Sequence, residues 1–204
     1  HRQSSAASDV YKRQSLYGGQ ALGGVINLVS KYPMPEPSGE VIINATTRNG
    51  QDLSAYGEAG LSSPIRSSFL ANVSRQSAQD LDGDRWIDMP SYNRVAIRPR
   101  MFYEGDNGTR GFLTLGAMTE NRRGGTLADG TVPSGDPYPQ DQRTRRLDAG
   151  VKFSHPLNDH TAVAVRASAM RQDHDHRFGA RLEADRHETQ LLEFSVSRNS
   201  SRAT

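Results

Sequence analysis

Hydrophobic and polar residues alternate along most of the chain with a period of two. In residues 93–104, for example, Val95 and Ile97 fall on one side of an extended backbone, and Arg94 and Arg98 fall on the other. Because successive side chains of a β-strand point to opposite faces, this pattern predicts a strand with one apolar and one polar face. The segments that share the pattern are residues 41–48, 53–61, 67–75, 93–104, 111–120, 145–154, 161–171 and 190–198. No segment has the period of an amphipathic helix, and we expect an all-β fold of about eight strands.

The connections between the predicted strands differ in length in a regular way. Short connections cover residues 49–52, 62–66, 105–110 and 155–160, and long ones cover residues 76–92, 121–144 and 172–189. After the first hairpin, short and long connections alternate, which is typical of an outer-membrane barrel with short turns at one end and long loops at the other. In such a barrel, the apolar face of a strand meets lipid and needs no second sheet. We expect residues 39–204 to form part of an antiparallel transmembrane β-barrel.

The composition is compatible with a barrel and excludes several other classes. The chain has 204 residues, no cysteine and a mean hydropathy of -0.71. No stretch approaches the roughly 18 apolar residues of a membrane-spanning helix. Without cysteine, neither a disulfide-stapled module nor a cysteine zinc site is available. Lysine and arginine number 25 against 23 aspartates and glutamates, without the dense basic patch of a nucleic-acid-binding protein. We expect no nucleic-acid partner.

The N-terminal part of the chain differs in character from the alternating segments. Residues 15–31 contain two glycine pairs followed by a short apolar run, and residues 32–38 contain three prolines, which predicts an extended linker. The stretch Asp9–Gln14 resembles the translation of a transposase end sequence used to prepare sequencing libraries. We therefore expect residues 1–14 to be a non-native, adaptor-derived tail. The chain also stops within a pattern at its C-terminus, and we expect it to be an internal fragment of a longer protein.

One run within residues 15–31 resembles a known family. Its characteristic residues are Tyr17, Gly18, Gly23, Gly24, Val25, Ile26, Asn27 and Lys31. The run is similar to the end of the plug domain of TonB-dependent outer-membrane receptors, where a linker and the first barrel strands follow. Ser30 stands where the family usually has threonine. The glycines permit close backbone approach in a crowded barrel lumen, and the apolar residues can fill the core of the plug.

The resemblance implies a fold and a function for the whole protein. Its barrel would have roughly 22 strands around a plug, of which this chain holds about the first third. The protein would lie in the outer membrane of a Gram-negative cell, in contact with lipid, and take up a scarce nutrient. The commonest substrate is a ferric siderophore, and cobalamin, haem and glycans are others. The inner-membrane TonB complex would energise uptake through a contact segment outside this chain. No cofactor is implied.

Two other classes of protein fit the same alternation. One is a porin or adhesin barrel without a plug, and the other is a soluble all-β binding module. The residues upstream of Ser15 separate the first alternative from a receptor, because a receptor has a plug there. Dependence on detergent separates the second, because a soluble module folds without it.

Arginine and aromatic side chains provide candidate ligand-binding residues. Arg98 and Arg100 lie on the polar side of a predicted strand, which faces the lumen in a barrel. There they would contact plug carboxylates or an anionic ligand, or form structural hydrogen bonds alone. The candidates in or beside the long connections are Trp86, Arg122, Arg123 and Tyr138. Arginine and aromatic groups bind flat, anionic chelates well, although they also occur in ordinary loops.

Two segments contain residue types that bind metals. His174 and His176 are two positions apart, with His187 further along the same predicted loop, so in an extended backbone the first two imidazoles would point the same way. Residues 80–84 contain aspartates at alternate positions but lack the downstream glutamate of an EF-hand calcium loop. A solvated loop explains either segment, and we expect no resident metal. No arrangement of serine, histidine and aspartate indicates a catalytic triad, and we expect no enzymatic activity.

Overall fold

The computed structural model describes residues 32–62 and 64–198. The predicted adaptor-derived tail (1–14) and the predicted plug motif (15–31) lie outside the described residues. The chain divides into two compact units, His1–Tyr32 and Pro33–Thr204. The fold below is that of the second unit.

The described residues of the second unit form one antiparallel sheet of eight strands, which follow one another in chain order. The strands are β1 (Ser38–Ala45), β2 (Gly50–Ser62), β3 (Ile65–Gln76), β4 (Ser91–Glu104), β5 (Arg110–Gly125), β6 (Pro139–Asn158), β7 (Thr161–Phe178) and β8 (Arg181–Arg198). The predicted all-β class is confirmed, and the sheet is open, with β1 and β8 at its edges. In the described part of the chain, no helix is long and apolar enough to cross a membrane.

The register aligns the apolar side chains of neighbouring strands on one face of the sheet. Leu53 lies opposite Val73, which in turn lies opposite Val95. Cross-strand pairs of this kind stabilise a sheet by roughly 0.2–1 kcal/mol each relative to alanine pairs. Even so, the large side chains of this face are well exposed, from 39% for Leu113 to 75% for Ile43. The apolar rows therefore form a continuous surface that no other part of the described chain covers.

The opposite, polar face of the sheet is concave. Its side chains crowd one another although no second layer covers them in the described residues. Those less than a tenth exposed include Glu58, Ser68, Ser74, Glu120 and Thr144. Side chains converge on the inside of a bend and diverge on the outside, so this difference in burial gives the direction of curvature. Of the large hydrophobic side chains described, only Phe102 is less than a tenth exposed. A polar concave side and an apolar convex side are the arrangement of a membrane barrel wall.

Several strands are longer than the hydrophobic alternation predicts. The predicted long connection 172–189 is wrong, because β7 continues to Phe178 and β8 begins at Arg181. Gly179 in the turn between them is left-handed, with φ 61°. Residues 172–189 are mostly polar on both faces, with few apolar side chains such as Phe178 and Leu182, so they show no regular alternation. Opposite charges pair across the two strands instead, as Arg186 Nε does with Asp173 at 2.7 Å.

The other two long connections are present but shorter than predicted. Residues 121–125 and 139–144 continue β5 and β6, which reduces the predicted connection 121–144 to residues 126–138. The connection after β3 covers residues 77–90. Both lie at the same end of the sheet as the β1–β2 and β7–β8 turns. This end is named the loop end below, and the opposite one the turn end.

The proline-rich segment before β1 is attached to the turn end of the sheet. The Gly60 amide donates a hydrogen bond to the Pro35 carbonyl at 3.0 Å. The Arg66 guanidinium donates one to the Pro33 carbonyl, also at 3.0 Å. Pro33 itself is fully buried. The segment is irregular up to Ser38, where β1 begins, and its carbonyls have fixed partners on β2 and β3.

We predict that the isolated chain requires detergent or lipid to form this sheet. In water, the apolar convex face and two strand edges would be unprotected, and such surfaces promote association. Circular dichroism and light scattering should show aggregates or unfolded chain without detergent, and a sheet spectrum with it. A monodisperse, sheet-rich monomer in detergent-free buffer would contradict this expectation.

Candidate functional site

Two arginines share one carboxylate in the middle of the concave face. Arg98 Nη1 on β4 lies 2.8 Å from Asp148 Oδ2 on β6. Arg146 Nε lies 3.2 Å from the other carboxylate oxygen. The Asp148 side chain is only 14% exposed. Because hydrogen bonds between charged groups are about twice as strong as neutral ones, this cluster ties β4 to β6 across the intervening strand.

The Arg98–Asp148 ion pair passes over β5 at Gly116. Gly116 lies directly opposite Asp148 in the register. A Cβ atom at this position would lie 2.5 Å from Arg98 Nη2 and 2.6 Å from Asp148 Oδ1. Glycine at position 116 therefore lets the two charged groups occupy the space of a side chain, and any larger residue would displace the ends of Arg98 and Asp148.

A second carboxylate, nearer the loop end, also has two arginine partners. Glu120 on β5 is paired with Arg94 on β4 and lies 3.3 Å from Arg122 Nη2. The Arg122 guanidinium also lies 5.5 Å from the centre of the Tyr92 ring, which is a cation–π distance. The Arg122 Nε is buried and has no hydrogen-bond partner among the described residues. This guanidinium therefore keeps an unused donor.

On the strands β4–β6, the concave face consequently has a surplus of positive charge. Asp148 and Glu120 are each shared by two arginines. Arg100 lies on the same face, and no ion pair joins it to another described residue. A surplus of arginines on a concave surface favours carboxylates or other anionic partners. Arg98 and Arg100 thus occupy the face on which the sequence places them, while their contact with a ligand stays a prediction.

The sequence did not single out the other members of these clusters. The sequence offers one signal for them: each occupies a polar position of a predicted strand. These residues are Glu120, Asp148 and Arg146. The choice of partner depends on the register of several strands, which alternation alone does not specify.

The two long connections at the loop end are joined to each other. The Ile87 amide donates a hydrogen bond to the Gly125 carbonyl at 2.8 Å, and the Leu127 amide donates one to the Arg85 carbonyl at 2.9 Å. Arg85 also forms an ion pair with Asp129. The connections therefore hold one another in place over the loop end.

Two of the predicted ligand-binding residues meet where these connections join. The rings of Trp86 and Tyr138 stack with their centroids 6.0 Å apart and their planes 26° from parallel. The Tyr138 ring also lies against the β7–β8 turn, where a Cβ at Gly179 would be 2.9 Å from it. Trp86 and Tyr138 thus form one aromatic surface, the loop platform, which rests on the sheet.

The two adjacent arginines of β5 point to opposite faces of the sheet. Arg122 lies on the concave face. Arg123 lies on the convex face, with its side chain 82% exposed and its Nε 3.6 Å from Asp141 Oδ1. Successive residues of a strand alternate in this way. The structure therefore does not bring the predicted pair together, and only Arg122 shares the face of Arg98 and Arg100.

The three histidines of β7 and β8 lie together on the concave face. The His174 and His176 rings stack with their centroids 5.4 Å apart, and His187 approaches His174 edge-on at 6.1 Å. His174 Nδ1 lies 2.9 Å from Thr144 Oγ1, and its Nε2 contacts the Gln172 amide. Both ring nitrogens of His174 thus have protein partners. The sequence is right that His174 and His176 point the same way, but they lie in a strand and not in a loop.

The aspartates of the 77–90 connection form a compact turn. One carboxylate oxygen from each of Asp80, Asp82 and Asp88 lies within 4.8 Å of the others. Asp80 accepts hydrogen bonds from the backbone of Gly83 at 2.8 Å and Arg85 at 3.0 Å. Slight desolvation raises the pKa of the Asp80 carboxyl, but the backbone N–H groups outweigh it and hold its pKa below its usual value. These bonds explain the cluster as a folded turn.

The sheet has a counterpart among solved structures. It is similar to the crystal structure of the siderophore receptor PiuA from Acinetobacter baumannii, with a TM-score of 0.71 and 16% sequence identity. The match covers 93% of this chain and 31% of the receptor chain, so this chain spans about a third of that receptor's length. No family model and no curated protein matches the chain. The likeness shows that the sheet has the fold of part of a receptor barrel.

We predict that Gly116→Ala destabilises the sheet by about 1–2 kcal/mol, because the new methyl group separates a partly buried ion pair. Urea unfolding of the chain refolded in detergent would measure the free-energy difference. Gly124→Ala is the matched control on the same strand, since its Cβ would meet neighbouring atoms at an ordinary 3.6 Å. Equal stability of the two variants would contradict the role assigned to Gly116.

The Asp80 turn should keep its order until the pH falls below the usual pKa of an aspartate. The lowered pKa means that the stabilisation is complete above the usual aspartate pKa and is lost as the pH falls through the lowered value. Amide NMR shifts of Gly83 and Arg85 should follow that titration. In Asp80→Asn they should not titrate, and the Thr109 amide, which bonds to the uncharged Asn107 side chain, is an internal control. Titration of Gly83 at the usual aspartate pKa would refute the assignment.

Proposed function

We propose that this chain is part of a TonB-dependent outer-membrane receptor that takes up a scarce nutrient in a Gram-negative cell. The observation that carries the proposal is the sheet itself, with its apolar convex face, its charged concave face and no core of its own in the described residues. The fold likeness to a siderophore receptor supports the same class. The motif Tyr17–Lys31 adds an independent sequence argument, as the proposed end of a plug domain.

In this proposal the two faces of the sheet have different partners. The convex face meets membrane lipid. The concave face lines the lumen, where the arginine surplus around Asp148 and Glu120 contacts carboxylates of the plug or an anionic nutrient. Passage is gated by the plug and powered through the inner-membrane TonB complex. No bond of the nutrient is made or broken.

The proposed substrate class is a ferric siderophore. Such chelates present flat, electron-rich and anionic surfaces, which aromatic and arginine side chains bind well. The loop platform of Trp86 and Tyr138 offers a fixed aromatic surface at the loop end. Arg122, Arg98 and Arg100 offer positive charge on the concave side. Arg123, on the convex side, is left out of this proposed site.

Quenching of Trp86 fluorescence tests this assignment directly, because Trp86 is the only tryptophan in the chain. We predict that ferric siderophore quenches the emission of the detergent-refolded chain saturably and that the iron-free chelator does so less. Tyr138→Ala should weaken binding by about twofold to tenfold, since an aromatic contact contributes about 0.5–1.5 kcal/mol. Tyr138→Phe retains the ring and should bind as the unchanged chain does.

Two results would count against the siderophore assignment. One is quenching that rises linearly with ferric chelate without saturating, which indicates collision and not binding. The other is equal binding by the Ala and Phe variants of Tyr138. Neither result bears on the membrane location, which detergent dependence tests separately.

A further inference from the structure

The convex face changes from apolar to charged between the middle of the sheet and its loop end. β7 has 18 residues, more than the roughly 9–11 that a tilted strand needs to cross a bilayer. Toward the loop end, the convex positions of β5–β8 become charged. The arginines of this region, named the arginine belt, are Arg123, Arg143, Arg145, Arg171, Arg177 and Arg186. The carboxylates on the same surface are Asp141, Asp173, Asp175 and Glu188.

Most of the belt is internally paired, but its centre is not. Asp173 accepts from Arg171 at 3.1 Å and from Arg186 at 2.7 Å. Asp141 on β6 lies 3.6 Å from Arg123 on β5 and 3.9 Å from Arg177 on β7, both within ion-pair distance. Arg143 and Arg145 are exposed, and neither forms an ion pair or a side-chain hydrogen bond with a described residue. Asp175 lies opposite Arg143 and Asp173 lies opposite Arg145 in the register, but neither aspartate forms an ion pair with the arginine that it faces. Two neighbouring convex positions of β6 therefore carry guanidinium groups that are not engaged in an ion pair.

Arg143 and Arg145 lie between two grooves of the convex face, one lined mainly by polar residues and the other mainly by apolar residues. The groove nearer the loop end has a volume of about 790 Å³, and Arg143, Asn121 and Asn93 are among its lining residues. The other has a volume of about 670 Å³ and an apolar wall that includes Leu147. Arg145 occupies the row between them, opposite Thr119 on β5 and Asp173 on β7. It is two residues from Leu147 on the same face, about 7 Å along the strand.

We propose that this surface binds a phosphorylated membrane lipid. The planar guanidinium of arginine matches the oxygens of a phosphate group and binds them with two parallel hydrogen bonds. Arg143 and Arg145 hold the phosphate of the headgroup, and an acyl chain lies in the apolar groove beside Leu147, Leu115 and Ile97. The inference rests on the proposed function, because the convex face must meet a membrane. It adds a headgroup chemistry that the barrel fold alone does not require.

A fluorescent phosphatidate probe tests the proposal with the full chain refolded in neutral detergent. We expect the chain to bind phosphatidate more tightly than the matching diacylglycerol, which has the same acyl chains and no phosphate. Arg143→Gln/Arg145→Gln should weaken phosphatidate binding by about tenfold or more, since each arginine contributes to attraction toward an anionic headgroup. Inorganic phosphate at the same concentration should not compete, because it lacks the acyl chain.

Arg110→Gln/Lys152→Gln is the matched control, because it removes two positive charges from concave positions toward the turn end. It should bind phosphatidate as the unchanged chain does. Equal loss in the two double variants would mean attraction to net charge alone and would overturn the proposal. Equal binding of phosphatidate and diacylglycerol would also overturn the proposal. Competition by inorganic phosphate would overturn it as well, because it would show that the two arginines bind free anions without an acyl chain.

Flotation with vesicles of phosphatidylcholine separates this inference from the proposed function. A chain that floats with these neutral vesicles but shows no preference for phosphatidate is a membrane protein without the proposed headgroup site. A chain that floats neither with phosphatidylcholine vesicles nor with vesicles that also contain phosphatidate refutes both proposals. A second copy of the chain seated on this face, seen as a dimer that phosphatidate does not displace, would also overturn the lipid assignment.

Discussion

An apolar convex face that no part of the described chain covers is the constraint on which the rest of this structure depends. Burial of apolar surface stabilises proteins by roughly 25 cal/mol per Å², yet side chains such as Ile43, Phe194 and Val196 remain more than 70% exposed. The register places these residues in continuous rows, so one extended surface needs a partner other than water. Membrane lipid is the partner proposed for this surface, and in that proposal the concave face lines a polar interior.

The curvature of the sheet imposes a second requirement, which is that the charged side chains crowded on the concave face must be paired. Side chains converge there, and a charge that is nearly buried is costly unless it is paired. Asp148 and Glu120 meet this condition with two arginines each, and Gly116 leaves room for one of the pairs to span a strand. The remaining positive charge of β4–β6 is what the proposed function assigns to an anionic partner. At the loop end, the connections are anchored by their own backbone hydrogen bonds and by the Trp86–Tyr138 stack.

Alternation predicted every strand of the sheet, because a strand with lipid on one side and polar groups on the other has a period of two. The prediction of strand length from alternation was wrong where the two faces of a strand are both polar. Residues 172–189 are mostly polar on both faces and were predicted to be a loop, whereas cross-strand charge pairs such as Asp173–Arg186 maintain the ladder there. The candidate sites followed the same logic. Arg98 and Arg100 were placed on the polar face from parity alone, and the separation of Arg122 from Arg123 also follows from parity once β5 is known to extend that far.

The sequence by itself therefore determined the all-β class, the two faces of the sheet and the common direction of His174 and His176 in an extended backbone, because these depend on the periodicity of a single strand. Only the tertiary structure decided which arginine meets which carboxylate, that an ion pair fills the space beside Gly116, and that Trp86 meets Tyr138 across two connections. These contacts join residues tens of positions apart. They depend on the register between strands and on the curvature of the sheet, which no local pattern of residues specifies.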